Sequence, residues 1–199
     1  MSFPLKGKVI FFATNNINKY NEAREELAKY EIAVAMLRIK TLEIQSESLE
    51  EIAKASALDV CRKCGLPIIV EDAGLFIEAL NGFPGPYASY VYKTIGNKGL
   101  LRLMENVKNR KAVFRSVIAY CLSDNTPACF SGEVEGEITL EERKRESKSS
   151  FGFDPVFKPL SSKKTFAEMS ITEKNRFSHR AKALRKFAEW YKRSGNCKE

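Results

Sequence analysis

The chain has 199 residues, of which 44% are hydrophobic and 29% are charged, proportions that are ordinary for a globular protein with a real core. No apolar stretch approaches the ~20 residues of a membrane-spanning helix, and the N-terminus lacks a signal-peptide pattern. The net charge of +8 favours anionic partners, either nucleic acid or small phosphates.

The cysteines give a first indication of the compartment. There are five, an odd number without regular spacing, so we expect a reducing environment and a cytoplasmic protein. Cys61 and Cys64 form a C-x-x-C pair inside a helical pattern, with no second pair and no histidine near them in sequence. We therefore predict neither a zinc site nor a redox site at this pair.

The first predicted unit is a buried strand, Val9–Ala13, that runs into a polar loop and then a helix. The loop holds three polar residues, Thr14, Asn15 and Asn16. Together with Lys19 in the first helical turn, it presents N–H groups and a positive dipole end to an anion. The glycines of a Walker A loop are missing, and Asn16 or Asn18 is the predicted left-handed turn residue. The alternative is an ordinary helix capped by asparagine.

A second strand is predicted at Ala33–Ile39, followed by a polar connection that carries Glu43. Ser48, with a glutamate three residues later, is a capping box that opens a helix to about residue 64. Lys54 on this helix lies four residues after Glu50. The spacing by itself favours an exposed ion pair between these two side chains.

The apolar run that precedes Glu71 and Asp72 predicts a strand buried on both faces. Ala73 and Gly74 are predicted to break this strand before a short helix at Leu75–Leu80. Carboxylates at the C-terminal end of a buried strand lie where open α/β sheets place their ligand sites. Such a pair suits Mg²⁺ or general-base work. The alternative is that Asp72 caps the next helix and Glu71 is solvated.

The middle of the chain adds a rigid Gly/Pro-rich loop at Gly82–Tyr87 and a short amphipathic helix at Gly99–Val107. Ala112–Leu122 and Cys129–Ile138 predict two long strands that form a hairpin or a neighbouring pair. The charged stretch Glu141–Ser150 is typical of a solvated loop rather than of a nucleic-acid-binding surface.

Three features stand out in the last third. The first is a pair of aromatic rings around a glycine and beside a carboxylate: Phe151, Gly152, Phe153 and Asp154. The second is a capping box at Ser170, which leads to Lys174. The third is Ser178, which caps the final helix and places His179 and Arg180 in its first turn, off the apolar stripe. The alternative is an exposed pair without a role at these two positions.

Taken together, these motifs resemble those of the inosine triphosphate pyrophosphatase family, also called the Ham1 or RdgB type. They occur in family order and at family spacing from near residue 9 to near residue 190. The matching residues are Thr14, Asn16, Lys19 and Glu22; Glu71, Asp72, Gly74 and Leu75; Gly82, Pro84, Gly85 and Tyr87; 151–155 and Phe157; 167–169; 173–175; and Ser178, His179 and Arg180. Each motif is weak by itself, whereas the whole set is specific.

The resemblance implies an α/β fold of the ITPase/Maf-like kind, with a long bent mixed β-sheet flanked by helices and two lobes around a deep central cleft. Residues 1–199 would form one such domain. The implied reaction converts a nucleoside triphosphate and water to the monophosphate and pyrophosphate with Mg²⁺. Hypoxanthine and xanthine are the preferred bases. The resemblance also implies a homodimer that binds neither nucleic acid nor membranes.

The resemblance further implies roles for the acidic and basic residues. Asp72 matches the family's proton acceptor and metal-site carboxylate, Glu43 aligns with a second metal carboxylate, and Glu71 would assist from the adjacent position. The triphosphate would be bound by two lysines, which also aid catalysis, and by the backbone of the polar loop: Lys19, Lys54 and residues 14–16. Ala73 replaces the usual Ser or Thr beside the phosphates, so only its backbone N–H remains to contribute.

By the same resemblance, Phe151 and Phe153 would hold the purine by stacking, which is worth roughly 1–3 kcal/mol per base in nucleic-acid complexes. The 6-oxo group of the base would accept hydrogen bonds from two side chains and lie near two others: His179 and Arg180, then Lys174 and Asp154. Adenine has a 6-amino donor there, and each buried donor left unpaired costs roughly 1–3 kcal/mol. Two such donors imply roughly thirty- to ten-thousand-fold discrimination against ATP.

Two other functions remain open at this point. A Maf-like nucleotide pyrophosphatase would share the architecture but prefer other bases, and a panel of substrates separates the two. A non-enzymatic basic module would bind DNA or RNA in a salt-sensitive way and release no pyrophosphate.

Overall fold

The computed structural model describes residues 9–122, 126–143 and 151–194. The strands are β1 (Val9–Ala13), β2 (Ala33–Leu37), β3 (Ile68–Ile77), β4 (Pro84–Gly85), β5 (Lys111–Cys121), β6 (Ala128–Ile138) and β7 (Phe157–Pro159). The helices are α1 (Ile17–Ala28), α2 (Leu49–Cys64), α3 (Ala88–Thr94), α4 (Gly96–Leu103), α5 (Ile171–Phe177) and α6 (His179–Arg193). Short 3₁₀ turns lie at Glu78–Leu80, Asp154–Val156 and Phe166–Glu168.

All seven strands belong to one mixed sheet. Six of them follow the order β2–β1–β3–β5–β6–β7, and β4 pairs with β3 outside this path. β1 is parallel to β2 and to β3, whereas the pairs β3–β4, β3–β5, β5–β6 and β6–β7 are antiparallel. The mixed α/β fold predicted from the sequence is confirmed. None of the helices in the described part of the chain is long and apolar enough to cross a membrane.

Most predicted elements lie near their expected bounds. The two long strands predicted in the middle of the chain are β5 and β6, which pair antiparallel from Lys111–Glu137 to Tyr120–Ala128. The helix that follows Ser48 is α2, and the predicted helix at 99–107 occupies 96–103 as α4. The connection at 123–125 and the charged stretch at 144–150 lie outside the described residues.

The helix predicted at Leu75–Leu80 is wrong, because β3 continues without a break to Ile77. Every residue of β3 pairs with β5, and this long antiparallel neighbour carries the strand through Ala73 and Gly74. A Cβ at Gly74 would lie only 2.5 Å from the carbonyl oxygen of Gly85. The glycine therefore permits the close approach of β4 and does not end the strand.

Helices cover both faces of the sheet. On one face α1 and α6 enclose a core that includes Ile69 of β3 and Leu184 of α6. On the other face α2 packs through Ala53 against Val70 of β3. A third core, around Leu75, lies farther along the sheet. Because side chains alternate along a strand, the residue after Val70 faces α6 and the next one faces α2.

The start of α6 lies directly against β6. A Cβ at Gly132 would collide with the carbonyl oxygen of His179 and would lie 2.6 Å from the backbone nitrogen of Ala183. This glycine lets the helix approach the strand closely. The contact fixes the first turn of α6, with His179 and Arg180, relative to the sheet.

Replacing Gly132 with Ala is expected to lower the free energy of unfolding by about 1–3 kcal/mol, the usual cost of forcing an extra group into a packed interior. Urea denaturation followed by circular dichroism measures this change. Ser131→Ala is the control, because Ser131 is exposed on the same strand, and its effect should stay within about 0.5 kcal/mol. Equal stability of Gly132→Ala and wild type would contradict the close contact.

Candidate active site

The turn between β1 and α1 is built around the side chain of Asn16. Its Oδ1 accepts hydrogen bonds from the N–H groups of Asn18 (2.9 Å) and Lys19 (3.2 Å), and Thr14 Oγ1 accepts one from Asn16 N–H. Asn16 has an extended backbone (φ −98°) and Asn18 is helical, so the predicted left-handed turn is wrong. The structure shows the asparagine-capped helix instead. Asn15 is exposed at the tip of this turn.

Lys19 reaches from α1 to the open edge of β3. β5 occupies one edge of β3 along its whole length. On the other edge the pairing with β1 ends at Ile69, and the pairing with β4 begins at Leu75. In the gap, Lys19 Nζ donates to the carbonyl oxygen of Glu71 at 3.3 Å and lies 2.7 Å from Glu71 Oε2. The Lys19 side chain remains 20% exposed, so an anion can approach it.

The carboxylate of Glu71 is enclosed and has a cation on each oxygen. Oε1 accepts hydrogen bonds from Ser116 Oγ at 2.7 Å and from Arg180 Nε at 3.1 Å, while Oε2 faces Lys19. Burial raises the pKa of the Glu71 carboxyl, but Arg180 and Lys19 outweigh burial and hold this pKa well below its usual range. Glu71 is therefore ionised, and each of its oxygens has a cation as an ion-pair partner.

A second buried carboxylate, Glu22 of α1, extends these contacts to the last third of the chain. Its Oε1 lies 2.8 Å from Lys174 Nζ, and its Oε2 accepts a hydrogen bond from Arg180 Nη1. Lys174 also lies 2.6 Å from Asp154 Oδ2. Burial raises the pKa of Glu22, but Lys174 and Arg180 lower it to about 2. We call this set the buried ion network: Lys19, Lys174, Arg180, Glu22, Glu71 and Asp154.

Asp72 points away from the buried ion network, toward the α2 face. The pKa of its carboxyl is raised to about 6, mainly by burial. Glu71 and Glu43 also raise this pKa, whereas Lys19 and the backbone N–H of Ala73 lower it. Oδ2 of Asp72 is buried and has no hydrogen-bond partner among the described residues. Asp72 therefore carries a negative charge that its surroundings compensate only in part.

The donor set at Asp72 fits Mg²⁺ that is shared with a substrate. Glu43 is exposed on the connection before α2, and its charge acts on Asp72. Within the described ranges, no group of three or more His, Cys, Asp or Glu side chains is arranged to hold a metal ion. Mg²⁺ commonly uses only one or two protein carboxylates and completes its shell with phosphate oxygens and water. The unpaired oxygen of Asp72, with Glu43 nearby, meets this requirement.

The predicted metal role of Glu71 does not fit the geometry. Adjacent residues of a strand point to opposite faces, so Glu71 and Asp72 do not form one chelating pair. Both oxygens of Glu71 are also occupied by Lys19, Ser116 and Arg180.

His179 and Arg180 are each only 2% exposed, so the alternative of an exposed pair is wrong. The His179 ring stacks on Phe114, with centroids 4.7 Å apart and planes 10° apart. Burial and the nearby Arg180 lower the pKa of His179 well below its usual value, so the ring is neutral at pH 7. In the part of the chain that the structure describes, nothing hydrogen-bonds to His179 Nδ1. The neutral ring has one N–H to donate.

The two predicted stacking residues differ in exposure. Phe153 is only 3% exposed, and its ring meets Tyr92 edge-on at 5.6 Å. It packs in the core, and the predicted stacking role of Phe153 stays a prediction. Phe151 is partly exposed, and Gly152 after it has a positive φ of 53°, which glycine adopts without strain. The structure leaves Phe151 as the ring available to a base.

Lys54 is held on the exposed side of α2. Its Nζ lies 2.5 Å from Glu50 Oε1, and the two side chains are 40% and 54% exposed. This is the ion pair that the four-residue spacing favours by itself. The structure thus does not bring Lys54 into contact with the other predicted phosphate-binding residues.

Two residues that share these contacts had no role in the sequence analysis. Glu22 belonged to a matching motif without a function, and Ser116 was one residue of a strand. The available signal was weak: Glu22 is a charge beside the apolar stripe of α1, and Ser116 is a hydroxyl residue between Arg115 and an apolar run. Both are buried, and only their distant partners explain why.

The chain is similar to known proteins over most of its length. The model of the Ham1 family matches residues 10–190. A protein of Methanopyrus kandleri named dITP/XTP pyrophosphatase is 52% identical over 183 residues, which are 92% of this chain and 96% of that protein. The protein of the same name from Hyperthermus butylicus is 47% identical over 96% of this chain and 98% of its own length.

Solved structures show the same fold. A HAM1 protein from Coxiella burnetii superposes with a TM-score of 0.80 at 31% identity, over 93% of this chain and 98% of that one. The Staphylococcus aureus Ham1 protein gives a TM-score of 0.79 at 28% identity, over 94% and 100% of the two chains. Since the family match spans nearly the whole sequence and the relatives are similar over their full length, the chain belongs to the Ham1 family.

Proposed function

We propose that this protein is a Mg²⁺-dependent pyrophosphatase that converts dITP, ITP and XTP to the nucleoside monophosphate and pyrophosphate. Membership of the Ham1 family and the relatives named dITP/XTP pyrophosphatase support the proposal. The observation that carries it is the buried, unpaired carboxylate oxygen of Asp72, in a carboxyl group on which the charge of Lys19 also acts.

In this reaction Lys19 binds the triphosphate and balances the charge that develops on the leaving pyrophosphate. Its carboxylate partner, Glu71, keeps the ammonium at the edge of β3. Asp72 accepts the proton of the water that attacks the α-phosphorus. Mg²⁺, bound by Asp72 and Glu43, would stabilise negative charge on the phosphate oxygens. Lys54 has to leave Glu50 before it can reach a phosphate, so we assign the main positive charge to Lys19.

The base is recognised at the other end of the buried ion network. Phe151 stacks on the purine, and His179 and Arg180 donate hydrogen bonds to its 6-oxo group. Lys174 and Asp154 hold the segment in place through their ion pair of 2.6 Å. Adenine has a donor where the 6-oxo group is required, and the unpaired donors of the protein would exclude ATP.

The proposed enzyme acts as a cytoplasmic homodimer that removes non-standard purine nucleotides from the nucleotide pool. The family resemblance supports the dimer, and the irregular set of five cysteines supports the reducing compartment. Size-exclusion chromatography with light scattering measures the mass of the assembly, for which we expect twice the 22.5 kDa of one chain.

A panel of nucleoside triphosphates tests the reaction directly. With Mg²⁺ present, dITP, ITP and XTP are expected to yield pyrophosphate and a monophosphate, while ATP reacts poorly; with EDTA, all turnover stops. The assay scores pyrophosphate against orthophosphate. Release of orthophosphate alone, or a preference for bases without a 6-oxo purine, would refute the proposal.

Asp72→Asn keeps the shape of the side chain and removes its ability to accept a proton. Turnover of ITP should fall by about 10²–10⁴-fold, the usual contribution of a general base. The control is Glu137→Gln, a carboxylate that pairs with Lys158 on the surface and should leave turnover unchanged. Near-normal turnover in Asp72→Asn would remove this residue from catalysis.

His179→Phe separates base recognition from packing. The phenyl ring retains the stack on Phe114 but has no N–H group, so the ITP-to-ATP ratio of kcat/KM should fall roughly five- to hundredfold, which is one buried hydrogen bond. Steady-state kinetics with both substrates measures this ratio, and thermal unfolding verifies the fold. If the ratio stays at the wild-type value in a folded variant, the base is recognised elsewhere.

A further inference from the structure

One carboxylate lies between the residue proposed to bind the phosphates and the residue proposed to read the base. Glu71 Oε2 is 2.7 Å from Lys19 Nζ, and Glu71 Oε1 accepts from Arg180 Nε at 3.1 Å. The two oxygens of a carboxylate have a fixed separation. The ammonium of Lys19 and the guanidinium of Arg180 are therefore held at a set distance from each other.

The orientation of this carboxylate is also fixed. Ser116 Oγ donates to Oε1 at 2.7 Å, and Ser116 is fully buried on β5, opposite Ala73 of β3. A side chain on a strand in the middle of the sheet moves little. The hydroxyl therefore prevents the carboxylate from rotating between its two cations.

We propose that Glu71, oriented by Ser116, is a positioning residue that sets the spacing between Arg180 and Lys19 and so holds the base and the triphosphate in register. This inference rests on the proposed function, since it assumes that both ends of one nucleotide are bound. A nucleotide has a fixed distance from its 6-oxo group to its phosphates. Arg180 and Lys19 serve the same substrate molecule only if their separation matches that distance.

The proposal differs from a purely structural role in what it predicts for two substrates. ITP is held at both ends, so a change in spacing displaces its α-phosphorus from Asp72. ATP is not held by Arg180, so it loses only the contribution of Lys19. Displacement of a reacting group by about 1 Å can cost 10²-fold in rate. Loss of the spacing between Arg180 and Lys19 should therefore lower kcat/KM for ITP more than kcat/KM for ATP.

The experiment compares Glu71→Gln, which removes the charge, with Ser116→Ala, which removes only the orienting hydroxyl. The matched control is Glu26→Gln, since Glu26 is also a buried carboxylate of a two-cation pair, with Lys29 and Arg185, outside the candidate site. For each variant, kcat and KM are measured with ITP and with ATP. Circular dichroism and thermal unfolding report whether the variant is folded.

In Glu71→Gln, kcat/KM for ITP should fall by about 10²-fold, mostly through kcat. The ratio of kcat/KM for ITP to kcat/KM for ATP should fall by about tenfold. Ser116→Ala should change both quantities in the same direction, by about three- to tenfold, as expected for one hydrogen bond. Glu26→Gln should lower the unfolding temperature and leave the ratio at the wild-type value.

An unchanged ITP-to-ATP ratio in folded Glu71→Gln overturns the inference. If Glu71→Gln does not fold, an unchanged ITP-to-ATP ratio in folded Ser116→Ala overturns the inference instead. The failure of the proposed function is distinct, because then wild type itself would release no pyrophosphate from ITP. If wild type releases pyrophosphate but the variants lose ITP and ATP turnover equally, only the positioning role is refuted.

Discussion

The structure depends on the pairing of charges that are buried where the two ends of the chain meet. Glu22, Glu71 and Asp154 are enclosed together with Lys174 and Arg180, and the partly exposed Lys19 is the third positive charge. A buried charge without a partner is costly, whereas one that is paired and hydrogen-bonded is tolerated. Removal of any one of these groups makes the numbers of positive and negative charges in the network unequal. The network therefore joins α1, β3, α5 and α6 and forms the framework of the proposed active site.

The two neighbouring acidic residues of β3 lie on opposite faces of the sheet and have different surroundings. Glu71 faces α6 and is neutralised by the protein itself, whereas Asp72 faces α2 and keeps an unpaired oxygen. The alternation of side chains along a strand is sufficient to produce this separation. A carboxylate that is paired within the protein and the carboxylate that we propose to be catalytic thus occupy consecutive positions. Glu71, and not Asp72, connects Arg180 at the proposed base-binding end with Lys19 at the proposed phosphate-binding end.

The sequence predicted those features that depend on local patterns. The cap at Ser48, the hairpin strands β5 and β6 and the core stripe of α6 follow from spacing alone, and the residues of the site were named from their motifs. The errors arose where a distant segment decides the outcome. β5 extends β3 through Gly74, which a local rule treats as a break. His179 and Arg180 appear polar and exposed in sequence, yet their partners, Phe114, Glu22 and Glu71, lie at least 65 residues away.

The span of the buried ion network also bears on how the chain acquires its structure during synthesis. Glu22 and Glu71 leave the ribosome more than 100 residues before Arg180. Until Lys174 and Arg180 have been made, enclosing these carboxylates would leave Glu22 without a cation and Glu71 with Lys19 alone. We therefore expect Glu22 to stay hydrated until α5 and α6 supply its two cations.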